Sequence, residues 1–104
     1  MNMSPTKGMS SPIIFKYRLQ ISDHQTINLP AGARVLKVDK QSDELYVWAL
    51  VDSSPSHYEW WEVVIIGTGN PIYQNMDGFT FVNTVVMSTF VWHVFMKHPE
   101  GVLP

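Results

Sequence analysis

A chain of 104 residues is the length of one domain, with room for a modest hydrophobic core. Apolar residues are 45% of it and charged residues only 15%, with a net charge of −2, so the overall balance makes nucleic acid or an anionic membrane an unlikely partner. The absence of cysteine excludes a disulfide framework, a thiolate nucleophile and a sulfur-ligated zinc site.

Residues 1–12 (MNMSPTKGMSSP) show no periodicity and read as a disordered leader. Order is expected from Ile13. Over residues 13–19, Ile13, Phe15, Tyr17 and Leu19 share one face and Ile14, Lys16 and Arg18 the other, the alternation of a half-buried strand. Ser22-Asp23-His24 is turn chemistry. Residues 25–30 (QTINLP) and 34–40 (RVLKVDK) follow as strands, separated by Ala31-Gly32. In residues 44–52 (ELYVWALVD) both faces are apolar, which places that strand centrally in a sheet or in a wall covered on both sides. Residues 58–67 (YEWWEVVIIG) form a fifth strand that breaks abruptly at Gly67-Thr68-Gly69-Asn70-Pro71. Residues 70–78 are the longest internal loop, 79–86 and 89–97 the last two strands, and 99–104 an irregular tail. Sustained helical periodicity and internal repeats are both missing. The expected architecture is therefore all-β: one domain over residues 13–98, a small antiparallel sandwich or partly open barrel of six or seven strands.

No apolar run approaches the roughly 18–20 residues of a membrane span, and the N-terminus has no signal-peptide core. The expectation is a soluble protein that stays in the cytoplasm where it is made. Few charges on so small a fold imply that some apolar surface is covered by another chain, and a homo-oligomer is expected.

The candidate contact residues follow from side-chain chemistry. Trp48, Trp60, Trp61 and Trp92, with Tyr46, Tyr58, Phe90 and Phe95, are a large aromatic load for this length. Trp60 and Trp61 are adjacent, so a strand sends them to opposite faces; one enters the core and the other lies in an interface or lines a ligand site. The alternative is that both faces are covered within the domain. Gly67, Thr68 and Gly69 form a turn whose backbone N–H groups can converge on an anion. The turn is neither a phosphate-binding Walker loop nor a dinucleotide fingerprint, and glycines required by a bulge or strand end describe it as well. His93 sits in an apolar strand, where a satisfied core or interface histidine is the plainer reading. Six of the seven cations, including Arg18 and Arg34, lie in the first forty residues, ahead of an acidic middle; that split suits a small anionic ligand or simply two solvated faces. Glu59 and Glu62 fall on opposite faces, no nucleophile elbow occurs, and no histidine spacing suits a metal. No catalytic residue, cofactor or metal is expected, and the protein reads as a non-enzyme.

Several stretches are jointly distinctive: Ile14-Phe15-Lys16-Tyr17 with Asp23-His24-Gln25, Leu29-Pro30-Ala31-Gly32-Ala33, Val47-Trp48-Ala49-Leu50-Val51-Asp52, Ile66-Gly67-Thr68-Gly69-Asn70-Pro71-Ile72, and His93-Val94-Phe95. With them the sequence resembles a family of small proteins of bacteriophages and their bacterial hosts that carry a domain of unknown function. The resemblance implies a phage or prophage origin and supplies no catalytic residue. It implies a phage accessory protein in the host cytoplasm that binds and blocks a host protein. Two alternatives stand beside that role: sequestering a nucleotide-derived signal of host defence, or serving as a minor structural component of the virion. The candidate contacts for a partner or ligand are Trp48, Trp60, Trp61, Gly67, Thr68, Gly69 and His93, with Arg18 and Arg34 as phosphate partners.

Overall fold

The computed structural model describes residues 6–99 and contains seven strands: β1 (Pro12–Leu19), β2 (His24–Pro30), β3 (Arg34–Gln41), β4 (Glu44–Asp52), β5 (Tyr58–Gly67), β6 (Thr80–Met87) and β7 (Phe90–Lys97). Every pairing is antiparallel. The strands form two sheets, β1-β4-β3 and β2-β5-β7-β6, and these do not close into a barrel. The expected all-β architecture is therefore a sandwich, with β4 in the centre of its sheet as its two-sided apolar pattern requires. Of the expected leader, residues 1–5 lie outside the described residues, as do residues 100–104 of the tail.

Alternation decides what lies inside. From the three-stranded sheet, Leu19, Val38, Leu45 and Val47 enter the core; Ile27, Leu29, Trp61, Val63, Ile65, Val85, Val94 and Met96 meet them from the four-stranded sheet. Burying these side chains is the main stabilising term, since each contributes roughly 1.5–3 kcal/mol when fully removed from water. Trp61 is one of them at 6% exposed, whereas Trp60 is 60% exposed on the opposite face. The parity argument for that pair holds.

The β3–β4 hairpin turns on Ser42 and Asp43, both at positive φ, the conformation whose twist matches that of paired strands. The β6–β7 hairpin turns with Ser88 at φ 58°. No glycine is present at either position, although a two-residue hairpin normally favours one.

One side-chain bridge joins the two sheets, and a carboxylate closes the end of β4. At one edge, Asn83 sits where β6 bulges and reaches across to β3. Its Oδ1 accepts from the Val38 N–H at 2.8 Å, and its Nδ2 donates to the Val38 carbonyl at 2.7 Å. One amide thus satisfies both backbone groups that an edge strand leaves unpaired. At the other end, Asp52 closes β4. Its carboxylate accepts from the backbone N–H groups of Ser10, Ser11 and Ser54, at 2.9–3.1 Å. Residues 10 and 11 of the expected leader are thereby tied to the sandwich.

The N–H groups of Ser54 and Ser10, with that of Ser11, hold the Asp52 carboxyl below the usual carboxylate range. A folded-state value below the unfolded one means that the stabilisation is fully present above the unfolded value, near 3.9, and is lost as pH falls through the folded value. Asp52→Asn is therefore expected to melt below wild type at pH 7, with the gap narrowing below about pH 4. Thermal melts of both proteins at pH 7 and pH 3 check this; a gap that stays constant contradicts it.

Candidate functional site

The outer face of the three-stranded sheet is built from the residues of β1, β4 and β3 that alternate away from the core. Register sets them in rows. Lys16 and Lys37 flank Trp48, Arg18 and Asp39 flank Tyr46, and Ile14 and Arg34 flank Leu50. The Lys16 ammonium lies 4.5 Å from the centre of the Tyr46 ring and 5.6 Å from that of Trp48, within cation–π reach. It also bonds the side chain of Gln41. Arg18 pairs with Glu44 at 3.4 Å and Lys37 with Asp39 at 3.0 Å. The Tyr46 hydroxyl donates to Glu44, and that bond, with some desolvation, pushes the Tyr46 pKa up. The Lys37 ammonium, bonded to Asp39, and the Lys40 N–H hold the Asp39 carboxyl below its ordinary value. Each of the two carboxylates stands against one neighbouring cation.

The four-stranded sheet carries the second group of candidates. Gly67, Thr68, Gly69 and Asn70 form a reverse turn in which the Asn70 N–H donates to the Gly67 carbonyl at 3.0 Å and Gly69 takes φ 86°. Gly67 has a steric reason as well. A Cβ there would stand 2.7 Å from Asn70 Nδ2 and 3.2 Å from a ring carbon of Trp92. The turn starts a connection that must pass β7 to reach β6, because β5 and β6 both pair with strands antiparallel to them and β7 lies between. Asn70 turns back against Gly67 and Trp92, and Gln74 Nε2 donates to the Asp23 carbonyl. Val64 and Ile66 point away from the core and are still buried, and Pro71, Tyr73 and Gln74 line a cleft of about 230 Å³ with Ile65, Ile66, Gly67, Asn70, Trp92 and Asp23.

On the same face, His93 lies between two hydroxyls: Nε2 is 2.6 Å from Thr68 Oγ1 and Nδ1 is 2.8 Å from Thr84 Oγ1. A neutral imidazole donates through one nitrogen and accepts through the other, so both threonines are satisfied at once. The arrangement ties the Gly67 turn to β6 and β7. The sequence placed Thr68 and His93 among the candidates without linking them; Thr84 was missed, since nothing in its local pattern reveals a partner across two strands.

The candidates thus divide. Trp48, Arg18 and Arg34 share the outer face of the three-stranded sheet. Thr68 and His93 meet on the outer face of the four-stranded sheet, with Trp60 further along β5, while Gly67 and Gly69 belong to the turn at the end of that strand. Trp61 is in the core beside the His98 ring, its buried Nε1 without a hydrogen-bond partner. Two cations expected to serve the glycine turn as phosphate partners therefore stand on the far side of the sandwich. The cleft beside the turn is lined instead by one carboxylate, two amides and aromatic rings, a set suited to a neutral or cationic hydrogen-bonding group rather than to phosphate. Glu59 and Glu62 do face opposite ways: Glu59 meets His98 at 3.2 Å and His57 at 3.8 Å, and Glu62 meets His24 at 2.9 Å.

A third feature is the free edge of β1. Ile13 and Phe15 alternate to the inner face yet remain 41% and 52% exposed, because the four-stranded sheet does not extend over them. Phe15 packs edge-on against Tyr17 at 5.3 Å. Burial, followed by the nearby phenol of Tyr58, raises the Tyr17 pKa, which places those two rings at the same open flank.

Fold and surfaces together define a small two-sheet β-sandwich whose candidate sites are open faces, one free strand edge and one shallow cleft. Over residues 11–102 the chain matches the model of a family described as a domain of unknown function, DUF7352, and it belongs to that family. No curated protein and no solved structure matches it. Among the described residues no helix is long and apolar enough to cross a membrane, and no group of three or more histidine, aspartate or glutamate side chains is placed to hold a metal ion.

Proposed function

We infer that this protein is a non-enzymatic binding module that self-associates and engages a bacterial host protein, as a phage accessory factor acting in the host cytoplasm. The observation that supports this most is β1. It is an eight-residue strand with one edge that, among the described residues, no other strand pairs. Its inward-pointing Ile13 and Phe15 are left in water beside Tyr17 and Tyr58. An unpaired edge next to exposed apolar side chains is the arrangement on which a strand of another chain adds, with backbone hydrogen bonds giving affinity and the apolar side chains giving selectivity. Low charge on the chain as a whole supports the same reading.

Sequestering a nucleotide signal at the Gly67 turn receives less support, because the cleft there holds a carboxylate and its expected phosphate partners lie on the other sheet. A virion component would use the same β1 edge for assembly and is distinguished by its presence in purified particles. The test is capture of partners from bacterial lysate by tagged protein. The β1 edge joins copies of the chain and the assembled form engages the host protein, so wild type is expected to retain one host protein that Phe15→Lys loses by breaking the assembly, while the variant stays folded because Phe15 is exposed. Retention of the same partner by Phe15→Lys, or of none by wild type, overturns the reading.

A further inference from the structure

Overall charge hides how the cations are arranged. The chain carries −2, yet the outer face of the three-stranded sheet holds Lys16, Arg18, Arg34 and Lys37 against Asp39 and Glu44. Glu44 and Asp39 are already paired with Arg18 and Lys37, which leaves the face a net cationic surface on an acidic protein. Register places the two lysines directly on either side of Trp48. Tyr46 follows two residues along the same strand, its ring centre 6.5 Å from that of Trp48. Among the described residues no other strand packs on this face; the three-stranded sheet meets the other through its opposite side.

We propose that this face binds single-stranded nucleic acid, with Trp48 and Tyr46 stacking successive bases and Lys16 and Arg34 contacting the phosphates on either flank. Three elements carry the assignment: aromatic rings on the central strand, cations in register on both neighbouring strands, and no covering strand among the described residues. Stacking on a flat ring is tolerant of base identity because every base presents a π-face, while the flanking cations follow the backbone. Lys16 now rests on both rings, and a phosphate would draw its ammonium outward and free them. The rows extend about 14 Å along β4, two steps of two residues each, more than one nucleotide needs. A duplex fits less well, since its bases are already stacked on each other and cannot reach the rings. The inference does not rest on self-association through the β1 edge.

Fluorescence anisotropy tests it, with the full chain titrated against 5′-fluorescein-labelled ten-nucleotide oligo(dT) and oligo(U) and against a ten-base-pair duplex. Single strands are expected to bind at 50 mM salt and to weaken by about 7-fold at 200 mM, the value for two phosphate contacts on a single strand. Trp48→Ala is expected to weaken binding about tenfold or more. Arg34→Glu, at an exposed position that the fold does not require, should weaken it as well, and Trp60→Ala on the other sheet should leave it unchanged. No binding at 50 mM salt overturns the proposal. So does equal affinity for the duplex, which would indicate charge attraction alone. Competition by thymidine monophosphate at the affinity of the decamer would indicate a mononucleotide site instead. A protein captured through Trp48 with no oligonucleotide bound would also overturn it.

Discussion

Leu45→Ala is expected to destabilise the protein by about 2–5 kcal/mol, the range for emptying a fully buried leucine site. Leu45 is 1% exposed on the central strand, opposite Leu19 of β1, and belongs to the cluster where the two sheets meet. Strands on both sides restrict collapse around the vacated space, so the upper half of that range is the relevant one. A domain of this length has a total stability of about 5–15 kcal/mol, and each kcal/mol shifts the melting temperature by about 4–8 °C. The variant should therefore melt well over 10 °C below wild type. Leu36→Ala is the matched control. Leu36 lies at the β3 bulge and is 52% exposed, and its removal should change the melt by only a few degrees. Chemical denaturation of both variants measures the difference; similar losses would mean that the assignment of inner and outer faces is wrong.

Asn83→Ala is expected to cost about 2–3 kcal/mol, because it removes one side chain that satisfies two backbone groups of Val38. Both groups belong to a buried residue of an edge strand, and only partial solvation can replace the amide. Asn83→Asp should be worse than alanine. The carboxylate oxygen that replaces Nδ2 would face the Val38 carbonyl, so that acceptor meets acceptor beside a desolvated charge. The expected order of melting temperatures is wild type, then alanine, then aspartate. Aspartate equal to wild type would mean that the amide does not join the sheets.

Much of this fold was legible in the chain, for a simple reason. Period-two alternation is local, so β1, β4 and β5 announce themselves in sequence together with the inner faces of each. The apolar pattern on both sides of residues 44–52 located the middle of a sheet, and the adjacent Trp60 and Trp61 had to part. Strand ends shifted by a residue or two: β1 begins at Pro12 and β2 at His24, where pairing with β4 and β5 extends order beyond the apolar pattern.

Pairing order was not legible, because it depends on contacts between distant segments. Nothing near Ile13 indicates that β1 pairs with β4 while β2 crosses to β5 in the other sheet. The same limit applied to the surfaces. Trp48, Arg18 and Arg34 were named from their chemistry, but their common face depends on register. The row Lys16–Trp48–Lys37 exists only because β3 bulges between Val35 and Lys37, which brings Lys37 opposite Trp48. Asn83 and Thr84 escaped notice for the same reason. Their roles lie in partners 45 and 9 residues away.

The claim on which the functional account depends is that the uncovered flank along β1 meets another copy of this chain. The mass of the purified protein in solution, by light scattering across a concentration series, tests it most directly. The account predicts at least twice the 11.9 kDa of one chain, and a return to the single-chain mass when Phe15 is replaced by lysine. A single-chain mass for the wild type at every concentration would contradict it.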